Sequence, residues 1–150
     1  MEKPYSTATP FSDVQFVPRS YSDPEGIVQL SLGAEPTITA EASPQRVSRI
    51  AGYGASGRAN TMIQYCGIGH DHLDYMIDDA PAKAGFFTPK SHFEIFPSSI
   101  LDRDDPPDYL LVFAWSFFDE IRKKNGNYLA RGGRMILPLP EVSIFPPSAP

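Results

Sequence analysis

The 150-residue chain predicts an α/β fold, a small Rossmann-like parallel sheet flanked by helices, with an irregular N-terminal arm. Three observations predict it. The run "DYLLVFAW" is continuously apolar, as expected of a strand buried on both faces of a parallel sheet. Strand-like and helix-like periods alternate over residues 46–141, which calls for right-handed crossovers. The stretch "IAGYGASGR" leaves an apolar strand and enters a helix through a Gly52-x-Gly54-x-x-Gly57 turn.

Taken in order, residues 1–45 show no helical period. Short alternating pieces, "IVQLSL" and "TITAEA", stand between Pro, Gly and Ser and read as a proline-rich arm with short strands. "RIAGYGA" is a short apolar strand ending in glycine. "SGRANTMIQYC" sets Ala59, Met62, Ile63 and Cys66 at helical spacing, and Gly67 closes it. "LDYMIDD" is a second strand ending in two acids, and the loop after it carries a short strand at 93–96. "DYLLVFAW" follows as the buried strand. "SFFDEIRKKNGNYLARGG" reads as one helix, with Ser116 as N-cap, Phe117, Phe118, Ile121 and Leu129 facing inward, and Gly132-Gly133 as the stop. "RMILPLP" is a last strand cut short by prolines, and 142–150 is a proline-rich tail.

Composition narrows the partners. The formal net charge is -5 and no basic stripe is present, which argues against nucleic acid or an anionic membrane surface. No apolar run has the length of a membrane span, and Met1 is followed by Glu2-Lys3-Pro4 rather than a signal-peptide core. Cys66 is the only cysteine, so an intrachain disulfide or a cysteine-rich zinc site cannot form. The expectation is a cytoplasmic protein without a metal.

The glycine turn is the candidate site. In an open α/β sheet, ligands bind beyond the carboxyl ends of the strands where strand order reverses. Glycines let a phosphate approach the backbone, and the N–H groups of the helix start face it. Asp78, at the end of the second strand, has the spacing of an acid that accepts hydrogen bonds from ribose hydroxyls. The competing reading is that Gly52 and Gly54 only permit tight strand–helix packing. The turn itself does not choose among nicotinamide dinucleotides, S-adenosylmethionine, coenzyme A and nucleotide sugars.

The blocks "IAGYGASGRANTMIQYCGIG", "LDYMIDDAPAKAGFFTPKSHFEI", "PDYLLVFAWSFFDEI" and "ARGGRMILPLPEV" resemble the C-terminal domain of sugar C-methyltransferases. Members of that family resemble G-Y-G-A-x-x-K-G-N-T-x-L-N-Y-C-G-I, then D-x-N-P-x-K-x-G-x-x-x-P-G-T-H-I-P-I, then a P-W-N strand end. Gly52, Tyr53, Gly54, Ala55, Asn60, Thr61, Tyr65, Cys66 and Gly67 match the first block. Asp78, Pro81, Lys83, Gly85, Pro89 and His92 match the second, and Trp115 the third. Arg58 and Ala59 stand where the family has Lys-Gly, Ala80 replaces the Asn before Pro81, and Ser116 replaces the Asn after Trp115.

The resemblance implies methyl transfer to a carbon of a nucleotide-linked 4-keto-6-deoxysugar: a proton is removed beside the ketone and the enolate attacks the sulfonium methyl. It implies TDP- or another NDP-linked keto sugar as ligand and S-adenosylmethionine as the complete enzyme's methyl donor. Family enzymes carry a cysteine-rich zinc region and a donor-binding domain ahead of this one, and neither is found in residues 1–45. The chain then reads as a fragment, a split subunit or a stand-alone relative. It is expected to bind no cofactor alone and to need a separate methyl-donor-binding domain, on the same chain or as a separate subunit. Two other classes stay open: a small nicotinamide-dependent oxidoreductase, and a non-catalytic interaction module with a vestigial pocket.

The ligand-binding candidates are therefore Gly52, Tyr53, Gly54, Ser56, Gly57, Asn60, Thr61, Asp78, Lys83, His92 and Trp115. His92 is the sole catalytic candidate, a proton-transfer or hydrogen-bonding group at the loop mouth, against a histidine bonded to its own loop. Lys83 neutralises a diphosphate or is solvated. Trp115 stacks on a base or sugar or caps the core. Cys66 reads as a small buried hydrophobe, and His70, Asp71 and His72 as a loop run rather than a metal cluster.

Overall fold

The computed structural model describes residues 48–147, together with the backbone of three strands at 14–16, 28–32 and 38–40. Those three, β1 (Val14–Phe16), β2 (Val28–Leu32) and β3 (Ile38–Ala40), form an antiparallel sheet in that order. β2 and β3 lie in the two alternating pieces named above, and the rest of the arm lies outside the described residues.

The second sheet has six strands: β4 (Ile50–Tyr53), β5 (Tyr75–Ile77), β6 (Ile95–Phe96), β7 (Tyr109–Val112), β8 (Arg134–Leu137) and β9 (Ser143–Phe145). Their order is β6-β5-β4-β7-β8-β9, parallel except for β9, which runs antiparallel to β8. This is the α/β Rossmann-like fold. The sequence reading did not assign β9: "SIF" is three residues long between prolines and carries no period of its own.

Helix α1 (Gly57–Cys66) leads from β4 to β5 and covers one face of the sheet. Its start and stop are local. Ser56 Oγ accepts from the Ala59 N–H (3.2 Å), and Gly67 closes the helix in the left-handed conformation at φ 64. Ala59, Met62 and Ile63 are buried against Met76, Leu111 and Phe113. Helices α2 (Phe118–Lys124) and α3 (Gly126–Ala130) and a 3-10 turn at Ser98–Asp102 cover the other face, where Ile121, Tyr128, Ile100 and Leu101 meet Tyr53, Ile77, Leu110 and Val112. β7 is buried at all four positions, as its unbroken apolar run requires.

The single helix expected over "SFFDEIRKKNGNYLARGG" is three pieces. A 3-10 turn at Trp115–Phe117 comes first, so Ser116 is not an N-cap and Phe117 is turned outward, 58% exposed rather than inward. Three residues per turn place successive side chains differently from 3.6. The break between α2 and α3 has a named cause. Buried Asn125 donates its side-chain N–H to the Ile121 carbonyl (2.9 Å) and to the Tyr53 hydroxyl (3.3 Å), and Gly126 follows.

Candidate functional site

Strand order reverses between β4 and β7, so the fold places its crevice beyond their carboxyl ends. One wall is the Gly54–Gly57 turn and the start of α1. The other is the segment 114–117 after β7. The walls touch at the base, where a Cβ on Gly54 would come within 2.9 Å of the Ala114 Cβ.

The three glycines do different work. Gly52 lies within β4 on the α1 face, and a Cβ there would overlap the Met76 sulfur and approach the Phe113 ring. Gly54, at φ 97, turns the chain out of the strand against Ala114. Neither position has room for a side chain. Around Gly57 there is open space, and as the first residue of α1 it shares with Arg58 the N–H groups that a helix leaves unpaired.

Asp78 holds the turn together from below. Its carboxylate accepts from the N–H groups of Ala55 and Ala80 (both 2.8 Å), and Lys83 donates to it (3.0 Å) and to the Ala55 carbonyl (2.9 Å). The acid expected at a ribose and the cation expected at a diphosphate thus bind each other and the backbone of the turn. Tyr53 is buried on the opposite face of the sheet, where its hydroxyl donates to Asp79 (2.8 Å). Lys124 pairs with the same carboxylate. Burial opposes the charge on Asp79, but hydrogen bonds from Lys124, Tyr53 and Ser98 outweigh it and hold the carboxyl below its ordinary value. Burial pushes the Tyr53 hydroxyl well above the ordinary tyrosine value.

Ser56, Gly57, Asn60 and Thr61 form the start of α1, and Trp115 lies across from it against Arg58. Thr61 donates to the Gly57 carbonyl (3.0 Å). Asn60 Oδ1, on the first turn of α1, is buried without a hydrogen-bond partner. Arg58, noted in the sequence only as a departure from a family pattern, and Ser116, noted there also as a helix N-cap, meet across the crevice: the Arg58 guanidinium donates to Ser116 Oγ (2.7 Å) and lies 5.0 Å from the centre of the Trp115 ring. Their contact spans 58 positions, and no local signal announces it.

His92 is elsewhere, and this corrects the reading of it as a group at the loop mouth. After Asp78 the chain doubles back: Gly85 and Phe86 bond with Ile95, Phe87 pairs antiparallel with Glu94, and Thr88 bonds with Phe93. Because β6 is parallel to β5, this segment descends the sheet edge and turns at the amino ends of the strands, with His92 in that turn. The anchor there is His70, in the loop before β5, which donates to the Ser91 carbonyl (3.1 Å) and stacks on Phe93 with ring centres 4.4 Å apart. His92 is exposed, at φ 54, at the end of the sheet opposite the crevice.

Cys66 is half-buried and burial pushes its thiol up, away from nucleophilic character. His72 Nδ1 accepts from the Gly69 N–H (3.0 Å). Among the described residues no group of three His, Cys, Asp or Glu is placed to hold a metal ion, and no helix is long and apolar enough to cross a membrane.

Comparison with known proteins bears on this arrangement. The family model of the C-methyltransferase C-terminal domain matches residues 37–140. C-methyltransferase NovU of Streptomyces niveus is 35% identical over 96 residues, covering 64% of this chain and 23% of NovU. The present chain thus spans about a quarter of the length of that relative. The match takes in the glycine turn, α1, the Asp78 loop and the Trp115 strand end in one continuous span, and the chain belongs to the C-methyltransferase C-terminal domain family.

Proposed function

We propose that this chain is the sugar-nucleotide-binding part of a sugar C-methyltransferase, with the methyl donor held by a separate domain or subunit. The observation that carries the reading is Asn60. A buried carbonyl oxygen with no partner, on the first helical turn beside the switch-point crevice, asks for a donor such as a sugar or ribose hydroxyl. The unpaired N–H groups of Gly57 and Arg58 supply the complementary demand for phosphate oxygens.

The crevice does not suit S-adenosylmethionine. The donor's sulfonium is a cation, and the crevice already holds the Arg58 guanidinium, while Asp78 is turned away to Lys83 and two backbone N–H groups. The same engagement of Asp78 weakens the oxidoreductase reading, because the acid that would receive a dinucleotide's ribose is occupied. His92 takes no part in proton transfer at this crevice, so the base for enolate formation comes from another part of the enzyme.

Thermal-shift titration of the chain with TDP, UDP, NAD, NADP and S-adenosylmethionine tests this. The expected result is stabilisation by TDP or UDP alone. Stabilisation by the sulfonium or by a dinucleotide would assign the crevice to a different ligand, and silence toward all five would leave an interaction module.

A further inference from the structure

We infer that Arg58, held by Ser116 and Trp115, is the residue that recognises the diphosphate of the bound nucleotide; this deepens the proposed sugar-nucleotide reading and rests on it. Three features of the guanidinium carry it. First, it is a cation in the first turn of α1, at the positive end of the helix dipole, where a carboxylate is normally favoured and none is present. Second, among the described residues it has no carboxylate partner, in a chain whose other basic groups near the carboxyl ends of the strands, Lys83 and Lys124, are both paired with aspartates. A cation so placed is unfavourable until an anion arrives from outside. Third, it is not free to wander: the Ser116 hydroxyl takes one of its five N–H donors and the Trp115 ring supports its plane, leaving the others for a ligand.

The position is the crevice between β4 and β7, so the anion met is one lying across the Gly57 turn. A planar fork grips two oxygens of a diphosphate, where a lysine would act as a point charge. Both residues in contact are among the four positions, with Ala59 and Ala80, noted above as departing from the pattern that the chain resembles. Arg58 and Ser116 therefore act as one coupled unit: the shorter serine makes room for the longer arginine, and neither change works well without the other.

Calorimetric titration of the full chain with TDP, thymidine and inorganic pyrophosphate tests the assignment. In Arg58→Ala, TDP affinity is expected to fall ten- to a hundredfold and pyrophosphate competition to vanish, with weak thymidine binding unchanged. Arg58→Lys and Ser116→Asn each weaken TDP about fivefold, and the double variant recovers to within about twofold of the original chain. Both side chains are exposed, so thermal midpoints stay unchanged and confirm folding. Equal loss for TDP and thymidine, no loss for TDP, or additive single effects in the double variant would overturn the Arg58 assignment while leaving nucleotide binding standing. If the original chain binds neither TDP nor UDP, the nucleotide reading falls and takes this inference with it.

Discussion

At the scale of single residues, backbone conformation separates glycines that shape the chain from the one that leaves room. Gly54→Val is a poor probe of binding: the side chain would meet Ala114 at a positive φ, so the fold fails before the ligand does. Gly57→Ala is the cleaner change. Nothing lies within 4 Å of the new methyl, and the helical position suits alanine. Urea unfolding is expected to show stabilisation of about 0.5 kcal/mol, while TDP affinity drops several-fold because the methyl stands in the approach to the turn. Lys90 presents the opposite case. It occupies the left-handed region at φ 63, which favours glycine. Lys90→Gly is expected to stabilise the chain by about 0.5–1 kcal/mol in the same measurement, and unchanged or lower stability would show that the turn gains something specific from lysine.

At the scale of elements, the join between α2 and α3 is tied to the carboxyl ends of β4 and β5 by Asn125, Tyr53, Asp79 and Lys124. Asp79 titrates below its ordinary value in the folded chain. Its contribution is therefore present above the unfolded value, about pH 4, and is lost as pH falls through the lower folded value. The pair with Lys124 is partly exposed, so Asp79→Asn should cost no more than about 1 kcal/mol at neutral pH. The measurable signature is the pH dependence: denaturant midpoints of the two proteins should converge on acidification below about pH 4. A constant gap down to pH 2 would show that shape rather than charge is lost.

At the scale of the whole molecule, the six-stranded sheet, with helices on both faces, has a crevice at its switch point. Carbon methylation needs the sulfonium methyl, the carbanion and a base within about 3–3.5 Å of one another, and on the proposed reading the donor and the base come from another part of the enzyme. The purified chain is expected to bind TDP without methylating a TDP-linked 4-keto sugar in the presence of radiolabelled donor. Activity should appear on addition of a methyl-donor-binding domain from a C-methyltransferase. Methylation by the chain alone would refute that division of labour.

Much of this was legible in the sequence because it is local. The apolar run of β7, the Ser56 cap, the Gly67 stop and the alternation of strand with helix depend on neighbours within a few positions, and the family blocks follow the same order. At the break between α2 and α3, the Asn125-Gly126 pair is local, but the bond from Asn125 to a tyrosine 72 positions away was hidden. The site divided in the same way. Ser56, Gly57, Asn60 and Thr61 form the cap and first turn of the helix after the glycine turn. Only the tertiary structure decided that Gly52 and Tyr53 belong to the core, that Asp78 and Lys83 satisfy each other, and that Arg58 reaches Ser116. It also sent His92 to the far end of the sheet, since the loop after β5 takes its direction from antiparallel pairing beside β6. Which end of a sheet a loop residue reaches depends on long-range hydrogen bonds, and these leave no period in the sequence.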